Sequence, residues 1–284
     1  MTNMKTRTAG HVHVSSILLC ALTHAAALVS VLVLVVIVGY ILVMGVPALG
    51  PDMFALEYSS ENSSMLPALV NTLIAVVITL AIAVPAGVMA AIFLTEYTRR
   101  GNRFVKVVRV AAETLTGIPS IVYGLFGLLF FVGFLGWGLS LLSGCLTLAI
   151  MVLPTVMRTT EEALIAVPDA YREGSFGLGA GRLRTVFTVV LPSAAPGILG
   201  GVILSMGRII GESAALIFTA GTVAQIPSSL FGSARTMAVH MYVLASEGLH
   251  IDAAYATAVV LLVLALVVNA LASLVAHKLV KEGD

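Results

Sequence analysis

The sequence predicts an all-α protein that crosses a membrane with six helices, and three observations predict it. Hydrophobic residues fill 59 % of the 284 positions and charged ones only 10 %, where soluble domains run roughly a quarter charged. Mean hydropathy is +1.08. The apolar residues lie in long blocks, not in the short alternating segments of a transmembrane barrel. Together these exclude a soluble enzyme, a nucleic-acid binder and a disordered regulator.

A bilayer core takes about 20 apolar residues per helix, and six stretches reach that length. The first, Ile17–Met44, opens like a secretory signal, with Lys5 and Arg7 ahead of it and small residues at Ala25–Ala27. Its apolar run continues well past a signal core of about 7–15 residues, so it reads as an uncleaved helix. Leu66–Leu94 is the second stretch. Ala111–Gly136 and Leu139–Met157 follow, joined by a tight turn at Trp137 and Gly138. Pro196–Ala220 is the fifth and Ala253–Ala276 the sixth. The chain thus reads as one membrane domain: residues 1–66 hold the first helix and an outer loop, 67–276 a five-helix core, and 277–284 a tail. Cys20 and Cys145 both fall in apolar blocks and read as packing residues, not as a disulfide framework. The six histidines show no ligand spacing and predict no metal site.

Charge placement orients the helices. Thirteen of the 15 basic residues sit on one side: Lys5, Arg7, Arg99, Arg100, Arg103, Lys106, Arg109, Arg158, Arg172, Arg182, Arg184, Lys278 and Lys281. The opposite side carries only Arg235 among Asp52, Glu57, Glu61, Glu247 and Asp252. The positive-inside rule puts the basic loops and both termini in the cytoplasm. On the outer side, Ser228–Glu247 fits a short helix lying on the membrane surface.

The remaining cation, Arg208, lies about twelve residues into the fifth stretch, roughly 18 Å from its start. Glu212 follows at i+4. Gly197, Gly201, Ser205, Arg208 and Glu212 recur at helical spacing, and Gly207 with Gly211 repeats the small-residue pattern of close helix packing. Glu113, Gly117, Ser120, Gly124 and Gly127 form a similar stripe in the third stretch, so both faces are expected to point into the bundle. Two readings stand for the charges. Arg208 and Glu212 pair only with each other, or Arg208 is a transient anion ligand that Glu212 holds in place. A guanidinium suits phosphate through its planar two-bond fork. Arg158, at the inner end of the fourth stretch, either guides an anion or snorkels. Tyr123, Phe126, Phe130 and Phe131 read as helix packing in preference to a gate.

The longest cytoplasmic loop, residues 158–195, contains VPDAYREGSFGLGAGRLRTVFTVVLPSAAP (Val167–Pro196). It predicts a short helix from Asp169 to Leu178 ended by Gly179, and a second from Arg182 to Val190 ended at Leu191-Pro192. Two such helices make either an ordinary interfacial loop or a compact knob. The loop resembles the coupling loop of ABC-importer permeases, E-A-A, three residues, G, nine residues, I-x-L-P. Glu173, Gly179, Val189, Leu191 and Pro192 hold the matching places, while Gly174, Ser175 and Val189 depart in identity but keep size or branching. The resemblance implies a type I importer permease fold whose knob docks on a separate ABC ATPase dimer. No nucleotide-binding motif G-x-x-x-x-G-K-[ST] occurs in the chain itself, so ATP belongs to the partner and the chain is no enzyme.

TGIPSIVYGLFGLLFF (Thr116–Phe131), VMRTTEEAL (Val156–Leu164) and RIIGESAALIFTAG (Arg208–Gly221) are similar to the PstA family of phosphate-importer permeases. The likeness covers about two-thirds of the chain, in order, and GIPSIVYGLFG is shared with the sister family PstC. Gly211-Glu212-Ser213 stands where that family usually has G-E-T. The resemblance implies an inner-membrane subunit that pairs with a PstC-like permease and receives inorganic phosphate from an extracytoplasmic binding protein. It also implies that Arg158, Arg208 and Glu212 serve phosphate passage; Glu113 is placed with them on position. Other cargo, such as sulfate or molybdate, and an ATPase-independent transporter or channel remain the alternatives, with a phosphate-sensing role possible beside any of them.

Overall fold

The structure is a computed structural model that describes residues 14–99, 101–248 and 250–281. Lys5, Arg7 and Arg100, counted above, lie outside the described residues, as does the end of the 277–284 tail. All regular elements among the described residues are helical. Among the described residues five helices are long and apolar enough to cross a membrane, and a sharply bent pair, Arg103–Thr116 with Ser120–Phe134, reaches that length only when taken together.

α1 (Val14–Gly45) is followed by a single 3-10 turn at Pro51–Phe54 and then by α2 (Leu66–Ile92). Pro67 sits in the first turn of α2, where its missing N–H breaks no bond. A π-helical turn, Phe93–Tyr97, ends that span.

The third stretch differs from its sequence reading. It is two helices, α3 (Arg103–Thr116) and α4 (Ser120–Gly127), the latter prolonged by π-helical Leu128–Phe134, with a 100° bend between them. Gly117 caps α3, and Pro119 brings no N–H to continue its ladder. The Tyr123 hydroxyl fastens the bend by donating to the Leu115 carbonyl at 2.8 Å. α3 also begins earlier than Ala111: the Asn102 side chain caps it by accepting from the Phe104 N–H at 2.9 Å. The proposed stripe is therefore cut in two. Gly124 and Gly127 are buried, whereas Glu113 and Gly117 are exposed beyond the bend.

α5 (Leu141–Ala166) is the central helix, starting on a Ser140 cap. α6 (Asp169–Gly177) follows, then α7 (Arg182–Thr185). The second knob helix does not stop at Leu191-Pro192 as its sequence suggested. A π-turn at Val186–Val190 carries α7 straight into α8 (Leu191–Ile210), giving one rod, Arg182–Ile210. Pro192 lies in the first turn of α8. The Thr188 and Ser193 hydroxyls donate to the Arg184 and Val189 carbonyls at 2.6 and 2.7 Å around that turn. The fifth span thus ends at Ile210, not Ala220, and α9 (Ala214–Thr219) is a separate short helix.

α10 (Met237–Glu247) starts nine residues later than the sequence suggested. It is not a surface-lying helix either, because Met237, Val239, His240 and Leu244 are buried against the bundle. α11 (Ile251–Lys281) is the last span.

The core centres on α5, two-thirds of whose span is buried against 6 % for α11. Leu148, Met151 and Val152 of α5 meet Ile209 and Ile210 of α8 and Leu216 of α9. α1 stands apart, almost wholly exposed. It leans on α11 through Gly45 against Tyr255 and through an edge-on Tyr40–Tyr255 contact with ring centroids 5.8 Å apart. Cys145 packs in the core as expected, but Cys20 is exposed on α1. The aromatic residues divide: Tyr123 and Phe131 are buried, while Phe126 and Phe130 stack outward, centroids 5.6 Å apart.

Candidate functional site

Small residues set the depth of Arg208. α8 runs antiparallel to α5. A Cβ on Gly197 would lie 2.6 Å from the Ala163 Cβ, and one on Gly201 would strike Thr159. These glycines therefore let the two backbones close. Ser205, next on that face, is buried and donates to the Gly201 carbonyl at 2.9 Å. Continued along the helices, the register brings Arg208 level with Val152, near the middle of α5. Ile209 takes the face toward α5, in one layer with Val152 and Tyr123. Arg208 stands at the edge of that layer, half-buried, with no hydrogen bond or ion pair among the described residues.

Glu212 does something else. Because α8 ends at Ile210 with Gly211 as its cap, the i+4 relation to Arg208 does not exist. Glu212 is 9 % exposed, and its Oε1 accepts from the Ala215 N–H at 3.1 Å, capping α9. It neither pairs with Arg208 nor steadies it. Gly124 and Gly127 hold α4 against this corner. A Cβ on Gly124 would lie 2.8 Å from the Ala215 Cα, and one on Gly127 would strike Thr147 and Thr219. Gly207, beside Arg208, has open space around it. The stretch of α8 that carries the free cation is therefore also a bare, small-residue face.

At the basic end, α3 meets α5 through ion pairs. Arg158 donates from Nε to Glu162 Oε1 at 3.0 Å and lies 3.5 Å from Glu113 Oε1. Arg109 pairs with Glu161, which is only 6 % exposed. These residues line a cleft of about 250 Å³. Arg158 and Glu113 are thus together, nearer the basic end than the Arg208 layer, and each is already partnered.

The knob consists of α6 and the turn that follows it. Pro168 precedes α6, whose residues are all at least partly exposed, and Gly179 has φ +83°, the left-handed conformation that favours glycine. Leu178 is 91 % exposed, and Glu173 is exposed with no partner among the described residues. Val189 and Leu191 are half-buried, Leu191 against a cluster of Ala91, Leu164 and Val190, while Pro192 is exposed. The residue that ties the knob down is Arg172, which sequence reasoning counted only as a charge. Its Nη2 donates to Glu96 Oε1 at 2.7 Å and to the Leu164 carbonyl at 2.8 Å, and its Nη1 to the Val167 carbonyl at 2.8 Å. One signal was available: Glu96 and Glu161 are acidic residues at the basic ends of apolar blocks.

Comparison with known proteins agrees with this architecture. Residues 83–281 match the family model described as "Binding-protein-dependent transport system inner membrane component". The chain is 37 % identical over 255 residues to the probable ABC transporter permease protein YqgI of Bacillus subtilis, covering 83 % of each chain. It is 33 % identical over 209 residues to the phosphate transport system permease protein PstA of Haemophilus influenzae, covering 72 % of each. Among solved structures, a bacterial alginate ABC transporter in complex with an alginate-bound periplasmic protein superposes with a TM-score of 0.67. That match covers 91 % of this chain and 95 % of the other at 17 % identity, a likeness of fold. A multi-pass inner-membrane protein with this fold and these relatives belongs to the ABC-importer permeases, as a binding-protein-dependent transport system inner membrane component.

Proposed function

We propose that the chain is a permease subunit of an ATP-driven importer for inorganic phosphate. The observation that carries this reading is Arg208, a half-buried cation level with the middle of α5 and without a hydrogen bond or ion pair among the described residues. An unpaired charge at that depth costs about 2.5–3.5 kcal/mol on insertion scales, a cost that a passing anion offsets. One guanidinium binds weakly enough to release what it binds. The likeness to PstA supports phosphate as that anion.

In this reading the basic end is cytoplasmic, by the positive-inside rule. A homologous second permease, PstC-like, covers the bare face at Gly207, so that Arg208 borders the path between the two. One subunit of an ATPase dimer seats the knob around Leu178 and Glu173. ATP binding draws the ATPases together, α6 moves with them, and Arg172 passes that movement to α2 and α5. An extracytoplasmic binding protein releases phosphate into the opened path. Arg158, held between Glu113 and Glu162, then offers the anion a last cation near the inner mouth.

The experiment is uptake of labelled phosphate by cells lacking the chain, with and without its gene restored. Restoration is expected to return uptake that arsenate competes and sulfate does not. Competition by sulfate would make the cargo another oxyanion. Uptake that persists without an ATPase partner would make the protein a secondary transporter or channel.

A further inference from the structure

We propose that the end opposite the knob holds a binding site for a small monovalent inorganic anion, built on Arg235. This side chain plays no part in the transport reading above. It is only 3 % exposed, yet its Nε and Nη2 have no hydrogen-bond partner, and no carboxylate forms an ion pair with it among the described residues. The Tyr58 ring lies 4.4 Å from its guanidinium carbon. His240, fully buried, meets the same ring edge-on with centroids 6.0 Å apart and lies against the Ser63 backbone. The Ser63 and Thr236 hydroxyls are buried and unpartnered as well. Asn71 fixes the arrangement by donating to the Arg235 carbonyl at 3.1 Å, while its own Oδ1 is buried and unpartnered.

Two facts make the missing partner an anion. First, Arg235 presents two unmet donors that cannot accept, Nε and Nη2, beside two buried hydroxyls that can also donate. Water satisfies donors but brings no charge, and a buried cation without a counter-charge is costly. The Tyr58 face returns only part of that cost. Second, the cluster carries one cation. Burial, and then the charge of Arg235, push His240 down to about 4, so its ring is neutral at neutral pH. One cation balances a monovalent ion, not a phosphate dianion, and chloride is the single-atom case. Bound there, the ion would join the 221–236 loop to α10, α2 and the α1–α2 connection.

The intact transporter complex, exchanged between chloride and gluconate at constant ionic strength, tests this. Chloride is expected to raise the thermal midpoint by a few degrees and to saturate, and Arg235→Gln to abolish the difference. In bromide, anomalous scattering is expected to place one peak beside Arg235. A wild-type midpoint indifferent to chloride, with water alone beside Arg235, would overturn the site; a phosphate found there would overturn its specificity for a single-atom ion. The wild-type titration and the bromide peak need no variant, so misfolding of Arg235→Gln would not shield the proposal.

Discussion

Arg172 on α6 and Glu96 at the end of α2 form a two-pronged ion pair, Nη2 to Oε1 at 2.7 Å and Nε to Oε1 at 3.1 Å, with side chains only 15 % and 10 % exposed. The same guanidinium closes the last carbonyls of α5 at Leu164 and Val167. Three elements therefore meet on one side chain, and the only short helix among them is the exposed knob. A planar, five-donor group makes this junction where a lysine would reach one partner at a time.

Removing one member of so buried a pair costs about 3–5 kcal/mol locally. Glu96→Gln and Arg172→Gln are each expected to leave ATP hydrolysis by the assembled complex near normal while phosphate uptake falls. The exchanged pair Glu96→Arg with Arg172→Glu is expected to recover part of it. Hydrolysis and uptake measured on the same proteoliposomes check this; parallel loss of both would reduce Arg172 to a structural rivet.

Gly179 predicts a different kind of failure. A side chain there meets open space, so the cost is backbone alone, about 1–2 kcal/mol for a left-handed residue. Gly179→Val is expected to insert and fold but to redirect the chain after α6, lowering ATPase co-purification. Full co-purification with normal uptake would contradict a docking role for the turn.

Two buried-looking glycines should behave oppositely. Gly124→Ala places a Cβ against the Ala215 backbone, which cannot yield cheaply, and is expected to destabilise the chain by about 1–3 kcal/mol. A Cβ on Gly207 meets nothing in this chain, so Gly207→Leu is the contrasting variant. It is expected to leave the thermal midpoint of the isolated chain unchanged while blocking co-purification of the second permease. Size-exclusion chromatography of the co-expressed pair distinguishes the two outcomes.

Much of this was legible in the sequence. Hydropathy located the spans because the bilayer demands length, and the knob was readable because Gly179 and Pro168 are local punctuation. What misled was also local. Pro192 looked like a helix end, but a π-turn and two hydroxyls carry the helix through it. Gly117-Ile118-Pro119 looked like part of a span and is a 100° bend. Glu212 looked like the neighbour of Arg208 because helical spacing was assumed across Gly211, where the helix stops. The pairs Arg172–Glu96 and Arg109–Glu161 join residues 76 and 52 positions apart. Such pairs depend on how spans pack, which periodicity along one chain does not encode.

The central claim is that Arg208 meets the anion during passage. Its most direct test is phosphate uptake into proteoliposomes holding the complete transporter, with wild type, Arg208→Lys and Arg208→Leu compared at equal amounts of assembled complex. The account predicts background uptake for leucine with ATP hydrolysis still measurable, and an intermediate rate for lysine, which keeps the charge but loses the fork. Wild-type uptake by Arg208→Leu would contradict it.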